Sequence, residues 1–268
     1  MDLTPARRSI VVGGLVTALS VVLIAQRPWP DGFGALRAPV QPGAAVPYDG
    51  RFRFVRIAYQ TLPGGYWYRG QPAWSHGYPT SEQQLMRIMQ AVTSLDAHVD
   101  ETSALTLEDP EIFTYPVLYI IEPSWWQMSD GEAMALRQYL DKGGFVIVDD
   151  FKTEAWMGGR GWAQFADNMA RVIPDARFVD LDVSHPIFHQ FFDIVSLDIF
   201  PQAYNAGQPV FRGLFQDNDP AKPLRMFVAY NTDISQFWEW SHRGLRPVDD
   251  TNEAYKLGVN SVMYGLLH

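Results

Sequence analysis

Two continuous apolar runs on either side of a well-delimited helix signal constrain the fold of this chain more than any other feature. Residues 115–121 read YPVLYII, and residues 145–151 read FVIVDDF, in which the apolar run FVIV is followed by Asp149 and Asp150. Uninterrupted apolar runs of this length are typical of parallel strands covered on both faces. Between them, residues 129–144 read SDGEAMALRQYLDKGG, where Ser129 and Glu132 match a capping box and the glycine pair favours a helix stop. This strand–helix–strand unit predicts a parallel α/β sheet.

The alternation of strand and helix signals continues on both sides of this unit. Period-two alternation predicts a strand within residues 51–59, and apolar spacing predicts a helix that begins at a cap on Thr80 or Ser81. Further strands are predicted near residues 97–107, 178–182 and 226–230, and further helices over residues 165–173 and 254–267. We therefore predict an open, doubly wound, mostly parallel sheet with helices on both faces, since the repeated units are too few for a barrel.

The first 25 residues have the pattern of a membrane anchor. Arg7 and Arg8 precede residues 9–25, an uncharged run of 17 residues that would span about 25 Å as a helix, near the short limit for a bilayer. A cut after Ala25 would place Leu23 where a signal peptidase requires a small residue, so we expect an uncleaved transmembrane helix. The arginine pair also permits a twin-arginine export signal, which the flanking residues match poorly.

The remainder divides into a tether and a domain. Residues 26–50 are rich in Pro, Gly and Ala, which indicates an extended tether, and residues 51–268 form a single folded body. Positive charge before the apolar run keeps the N-terminus in the cytoplasm. We therefore expect a single-pass protein of the bacterial inner membrane with its body in the periplasm.

Composition excludes several classes of protein. The chain has no Cys, which rules out disulfides, thiolate metal sites, iron–sulfur clusters and cysteine nucleophiles. Residues 38–268 carry 17 basic and 28 acidic side chains, a net charge of −11 that argues against nucleic-acid binding. The nucleotide-binding glycine motifs and the GxSxG elbow are also lacking. We expect no cofactor and no nucleic-acid partner.

Candidate catalytic residues follow from the rule that open α/β sheets bind ligands beyond the carboxyl ends of their strands. Glu122 follows the first apolar run, Asp149 and Asp150 end the second, and His185 follows a later strand. In a catalytic site, Asp149 or Asp150 would be the general base, His185 the acid–base or orienting group, and Glu122 a second carboxylate. Strand alternation lets only one of the two aspartates face a given site, and either would otherwise cap the next segment.

Aromatic residues concentrate at the same predicted edge. The candidate binding residues there are Tyr59, Trp67, Trp74, Trp125, Trp126, Trp156, Arg160 and Trp238. Aromatic faces suit stacking on sugar rings, although loops packed onto the sheet would use the same residues. Among them, Trp125, Trp126 and Trp238 are expected to be the best exposed.

A metal site receives less support from the sequence. His185 and His189 have a spacing of four, but Pro186 disfavours the helix that would align them, and no metal-binding signature is present. We therefore predict no metal ligands. Metal binding by Asp150, His185 and a further acid stays open as a third alternative.

Several segments together resemble a bacterial family known only as domain of unknown function 4159. They are FRFVRIAY (52–59), YPTSEQQLMR (78–87), LTLEDPEIFTYPVLYI (105–120), LRQYLDKGGFVIVDDF (136–151), VIPDARFVDLDVSHPIF (172–188) and LGVNSVMYGLL (257–267). The family's typical Asp before Tyr-Pro is Gly77 here.

That family is similar to the class I glutamine-amidotransferase-like superfamily, which includes trehalose-utilisation-type domains. The resemblance implies a flavodoxin-like fold and is consistent with export. In amidotransferase relatives a Cys follows the strand equivalent to FVIVDDF, whereas Asp149 and Asp150 stand there in this chain. The resemblance therefore implies a fold rather than a reaction.

Two functions are compatible with these observations. The first is a non-catalytic binding or assembly component of the bacterial cell envelope, with an envelope protein as partner, because an anchor and a tether accompany an incomplete catalytic set. The alternative is a hydrolase or isomerase that acts on a carbohydrate-like ligand through strand-end carboxylates and a histidine. A single pocket shared by Asp149, Asp150 and His185 would favour the enzyme.

Overall fold

The computed structural model describes residue 42 and residues 49–67, 70–151, 161–202 and 207–268. The expected anchor and nearly all of the tether lie outside these ranges, as do Trp156 and Arg160. Within them, no helix combines the length and the apolar character needed to cross a membrane.

The described residues form a mixed α/β structure. Its strands are β1 (Val55–Ile57), β2 (Ser103–Leu105), β3 (Val117–Ile121), β4 (Phe145–Asp149), β5 (Phe178–Asp180), β6 (Val210–Phe215) and β7 (Leu224–Tyr230). Its helices are α1 (Thr80–Val92), α2 (Asp130–Asp141), α3 (Gly161–Val172), α4 (Ile234–Ser241) and α5 (Val248–Leu267). Short 3-10 helices include Ala73–Ser75, Pro123–Trp125 and Pro186–His189.

The seven strands form one sheet in the order β2-β1-β3-β4-β7-β6-β5. The first five of these run parallel, while β6 is antiparallel to both β7 and β5. The predicted mostly parallel sheet is confirmed. Because β2 lies on one side of β1 and β3 on the other, the strand order reverses between β1 and β3. Such a switch point leaves a crevice at the carboxyl ends of the strands.

Each face of the sheet carries its own apolar core. Tyr119 and Ile121 of β3 belong to a cluster with residues of α1, α4 and α5. Leu118 and Ile120, which alternate with them, belong to a second cluster with residues of α2 and α3. The two clusters explain why the central strands are apolar at every position, since both faces of the sheet are buried.

Local signals set the start and the end of α2 as predicted. The Ser129 hydroxyl accepts a hydrogen bond from the Glu132 amide at 2.9 Å, and the Glu132 carboxylate accepts one from the Ser129 amide at 2.8 Å. After the helix, Gly143 adopts a φ of 95°, which a residue without a Cβ tolerates. The capping box and the glycine stop are both confirmed.

The predicted cap of α1 is wrong. Pro79 occupies the N-cap position, and no side chain caps the helix there. Ser81 is instead buried against a core ion pair, where its hydroxyl accepts a hydrogen bond from Arg56 at 3.3 Å and donates one to Glu82 at 2.9 Å. Ser81 therefore lies in the first turn of the helix, and its hydroxyl serves the buried guanidinium, which needs acceptors, instead of the first amides of the helix.

Candidate active site at the carboxyl edge of the sheet

Three neighbouring strands each end in a residue with left-handed backbone. Glu122 follows β3 with a φ of 47°, Asp150 follows β4 with 56°, and Asn231 follows β7 with 61°. Non-glycine residues rarely adopt this conformation, and such strain clusters at functional sites. The turn directs the side chains of Glu122 and Asp150 out of the strand pattern and toward the switch point.

His76 joins these strand ends. Its Nδ1 lies 3.0 Å from Oε1 of Glu122 and 3.2 Å from Oδ2 of Asp150. Both carboxylates are fully buried, whereas 24% of the His76 side chain is exposed. The ring of Trp67 packs against the imidazole at a tilt of 31°, with 4.8 Å between centroids. The loop after β1 therefore brings a partly accessible histidine onto two buried acids.

The two acids determine the charge of His76. Burial by itself lowers the pKa of His76, but hydrogen bonds to Asp150 and Glu122, together with the charges of Asp150 and Asp233, raise that pKa well above its usual value. His76 is therefore an imidazolium near neutral pH. Both contacts use Nδ1, so Nε2 is the ring nitrogen left for a ligand.

Tyr59 fixes the turn that carries Glu122. Its hydroxyl donates to the carbonyl of Ile121 at 2.8 Å and reaches that of Glu122 at 2.7 Å, which ties the end of β1 to the end of β3. Burial and the charges of Glu122 and Asp150 raise the pKa of Tyr59 well above its usual value. The neutral phenol is thus a hydrogen-bond donor at the switch point.

Asp149 supports α4. One of its carboxylate oxygens accepts from the Ile234 amide at 3.1 Å, and the other accepts from the Ser235 amide at 2.9 Å and the Tyr119 hydroxyl at 2.8 Å. Burial raises the pKa of Asp149 to about 7, and the charges of Asp233 and Asp150 add to the increase. Of the two adjacent aspartates, Asp149 therefore has a structural role, whereas Asp150 contacts His76.

Helix α4 brings two further acids to this edge. Asp233 is its N-cap residue and accepts a hydrogen bond from the Gln236 amide at 2.9 Å. Donor atoms of His76, Asp150 and Asp233 lie within 4.8 Å of one another, which is close enough for the three residues to be candidate ligands of one cation. Glu239 lies beside Gly77, where an added Cβ would be 3.3 Å from its Oε2, and burial raises the pKa of Glu239. The carboxylate of Glu239 is thus next to Gly77, the position at which the family that this sequence resembles typically has Asp.

An ion pair beneath the site holds the His76 segment in place. Arg56 of β1 and Glu82 of α1 form a fully buried salt bridge. The guanidinium also donates to the carbonyls of Trp74 at 2.8 Å and His76 at 3.1 Å. Strand β1, which lies next to the edge strand β2, therefore fixes the backbone carbonyls of Trp74 and of the site histidine.

His185 does not belong to this cluster. Its ring packs against Phe215 at 5.7 Å and Tyr264 at 5.9 Å, and its Nδ1 accepts from the Ile187 amide at 3.2 Å. Phe215 pairs with Leu224, the first residue of β7, so His185 lies toward the amino-terminal edge of the parallel strands. The chain after β5 folds back along the sheet, which local sequence does not reveal. Asp149 and Asp150 follow the carboxyl end of β4, so His185 lies toward the opposite end of the parallel strands from both.

The expected exposure of Trp126 and Trp238 is also wrong. Both are fully buried, because each indole packs in a core and its Nε1 donates to an internal acceptor: Glu132 for Trp126 and the carbonyl of Ala254 for Trp238. Trp74 is buried as well, and half-buried Trp125 covers Gly65. Of the described candidate aromatics, Trp67 is the one in ring contact with the site histidine.

Sequence reasoning missed His76, Asp233 and Glu239 as site residues. His76 lies in an aromatic loop with no strand directly before it, and the two acids belong to α4, which was not predicted. The position of His76 just before Gly77, Tyr78 and Pro79, within a motif that carries the family resemblance, was the available signal.

Fold and site together define an α/β-sheet protein with a histidine–carboxylate centre at the switch point of a mostly parallel sheet. The family model described as "Domain of unknown function (DUF4159)" matches residues 53–266, and the chain belongs to this family. The matched range includes every residue of the centre from His76 to Glu239. A search of curated proteins found no match.

Proposed function

We propose that this chain acts on a small molecule by proton transfer, with His76 as the acid–base group. The observation that carries the proposal is the contact of His76 Nδ1 with two fully buried carboxylates while part of the ring stays accessible. This proposal favours the hydrolase or isomerase over the non-catalytic component, with His76 in the role that sequence reasoning gave to His185.

In this proposal the two ring nitrogens of His76 have different roles. Glu122 and Asp150 accept the Nδ1 proton, which orients the ring and stabilises its charged form. Nε2 then carries the proton that is transferred. Because the pKa of His76 is raised, the ring acts near neutral pH as a general acid that protonates an oxygen of the substrate.

Replacement of the histidine tests this proposal. In His76→Gln we expect turnover of neutral glycosides and sugars to fall by about 10²–10⁴-fold, the usual contribution of a positioned acid–base group. Sugar release and isomerisation would be assayed with the full chain in detergent, and circular dichroism would verify folding. His185→Gln is the matched control and should keep full turnover. Unchanged turnover in His76→Gln, or no turnover by the wild-type protein, would contradict the proposal.

A divalent cation is a second candidate ligand of the same centre. Donor atoms on one metal at about 2.1 Å lie roughly 3–4 Å apart, and those of His76, Asp150 and Asp233 lie within 4.8 Å of one another.

Thermal unfolding with added Mn²⁺ or Zn²⁺ tests cation binding. We expect the midpoint to rise by several degrees for the wild-type protein and to stay constant for Asp233→Asn, because binding to the folded state stabilises it. Asp193→Asn, which removes the acid of the exposed His189–Asp193 pair, is the control and should keep the shift. The absence of any shift, or an equal shift in Asp233→Asn, would exclude this candidate.

We further propose that the sheet is flavodoxin-like and that the family belongs to the class I glutamine-amidotransferase-like superfamily. The order of the five parallel strands follows the 2-1-3-4-5 pattern of flavodoxin-like folds. Asp150 adopts a left-handed turn directly after β4, at the place of the cysteine in amidotransferase relatives. We also propose that residues 9–25 anchor an exported body to the inner membrane, where an envelope protein would be its partner.

A further inference from the structure

A cavity lies beside the switch point, next to β1. Its volume is about 430 Å³, and its walls include Tyr59, Thr61, Tyr66 and Gln127. Tyr59 connects this cavity to the histidine–carboxylate centre, because its hydroxyl reaches the carbonyl of Glu122 at 2.7 Å. A ligand in the cavity would therefore contact the residue whose hydroxyl holds the Glu122 turn.

Backbone pairing holds the walls of this cavity together. The amide of Gln127 donates to the carbonyl of Gln60 at 2.8 Å, and the amide of Leu62 donates to that of Trp125 at 2.8 Å. The Tyr66 hydroxyl donates to the carbonyl of Thr61 at 3.2 Å, which fixes a ring that is 53% exposed. The loop after β1 and the segment after β3 therefore form a single preformed wall.

A buried hydroxyl in this wall lacks a partner among the described residues. Thr61 is 5% exposed, lines the cavity, and its Oγ1 has no hydrogen bond there. An unsatisfied buried hydroxyl costs about 1–3 kcal/mol, so such groups normally find an acceptor or donor. The orphan hydroxyl points to a ligand with hydrogen-bonding groups of its own.

The charge and chemistry of the cavity narrow the class of ligand. Glu108 and Glu132 line it, and none of its described lining residues is basic, so an anion would be repelled. The side-chain amides of Gln60 and Gln127 and the hydroxyl of Thr106 supply paired donors and acceptors. The Tyr66 ring offers an apolar face beside them, as sugar recognition requires.

We propose that this cavity binds a neutral saccharide ring, with Tyr66 against its apolar face and the Thr61 hydroxyl bonded to a ring hydroxyl. The inference deepens the proposed function by naming its substrate class, and rests on that function only for turnover. Binding itself depends on the cavity and not on His76.

Calorimetric titration of the full chain in detergent tests the proposal, with glucose, N-acetylglucosamine and maltose as probes. We expect saturable binding of at least one of them, weakened about five- to tenfold by Thr61→Val and by at least as much by Tyr66→Ala. Without sugar, Thr61→Val should unfold at an equal or higher temperature, because a methyl group replaces an unsatisfied hydroxyl. Phe191→Ala, which removes another exposed aromatic ring, should bind as the wild-type protein does.

The outcomes separate this inference from the proposed function. Sugar binding that persists in His76→Gln while turnover is lost would support both. Sugar binding without turnover in the wild-type protein would support the cavity alone. No binding of the three sugars, binding unaffected by both cavity variants, or saturation by choline instead of sugar would overturn the inference, even if His76-dependent turnover of another compound is found.

Discussion

Asp149 and Asp150 are neighbours in sequence and equally buried, yet they differ in what they contact. Asp149 still belongs to β4 and accepts hydrogen bonds from the first amides of α4, whereas Asp150 lies in a left-handed turn and contacts His76. Different groups stabilise the two buried carboxyl groups. Asp149 accepts hydrogen bonds from two amides and a phenol, and burial raises its pKa. Asp150 contacts the imidazolium of His76. One change of backbone conformation thus separates a structural acid from a site acid.

The raised pKa of Asp149 predicts how stability depends on pH. Its carboxyl titrates near 3.8 in the unfolded chain and at about 7 in the folded one, so between these values the folded state binds more protons. The free energy of unfolding should therefore fall with rising pH, by about 1.4 kcal/mol between pH 5 and pH 6 from this group. Urea unfolding at both pH values should show that Asp149→Asn removes this decrease.

An exposed acid provides the control for that experiment. Hydrogen bonds from Ser184 lower the pKa of Asp182, so this group is ionised in both states above pH 5, and Asp182→Asn should keep the wild-type slope. His76 adds its own loss of stability only above its unfolded pKa of about 6.5, outside the chosen window. An identical slope in Asp149→Asn and the wild-type protein would contradict the assignment.

Helices α2 and α4 show that elements of this protein form for different reasons. The start of α2 is encoded locally, by a serine and a glutamate three residues apart. Helix α4 has eight residues, and its first amides are satisfied by its own Asp233 and by Asp149 from β4. The positions of the site acids Asp233 and Glu239 therefore depend on a helix whose first turn is partly capped by a residue of the sheet.

Loss of the local cap should have a measurable effect on stability. We expect Ser129→Ala to lower the free energy of unfolding by about 1 kcal/mol, or the melting temperature by roughly 2–4 °C, because it removes the hydroxyl that accepts the Glu132 amide. Glu132→Gln preserves the capping-box pattern and should be less destabilising. Equal effects of the two changes in thermal unfolding would show that the box does not set the stability of α2.

At the scale of the whole molecule, one sheet with two cores places the polar centre at a single edge. The chain leaves β1 and reaches β2 on one side and β3 on the other, which opens the crevice that Tyr59 bridges and His76 occupies. Tyr59, whose hydroxyl reaches the Glu122 carbonyl at this crevice, also lines the cavity beside β1.

The location of the protein in the inner membrane is a prediction that depends on residues 9–25. If residues 9–25 are an uncleaved anchor, the protein should sediment with membranes, and an alkaline phosphatase fused to its C-terminus should be active, since the body would be exported. Deletion of residues 9–25 should abolish both. Replacement of Arg7 and Arg8 by lysine separates the alternatives: it leaves a membrane anchor functional, whereas it blocks twin-arginine export. An inactive fusion would contradict export.

The central elements of the fold could be predicted because their signals are local. The apolar runs that became β3 and β4, and the capped helix between them, need only neighbours in sequence to be recognised. The antiparallel strand β6, which lies between β7 and β5, and the short α4 were missed, since both depend on partners elsewhere in the sheet. The carboxyl-edge rule likewise identified Glu122 and Asp150, which do contact the site histidine.

The sequence by itself determined the mostly parallel α/β sheet, the boundaries of α2, and the absence of any thiol chemistry. Tertiary structure alone decided which histidine meets the carboxylates: His76 is 46 residues from Glu122 and 74 from Asp150, while His185 ended near the opposite edge. It also decided which aspartate caps a helix and which tryptophans are buried. The physical reason is that burial, backbone strain and pKa arise from contacts between distant segments, which local periodicity does not encode.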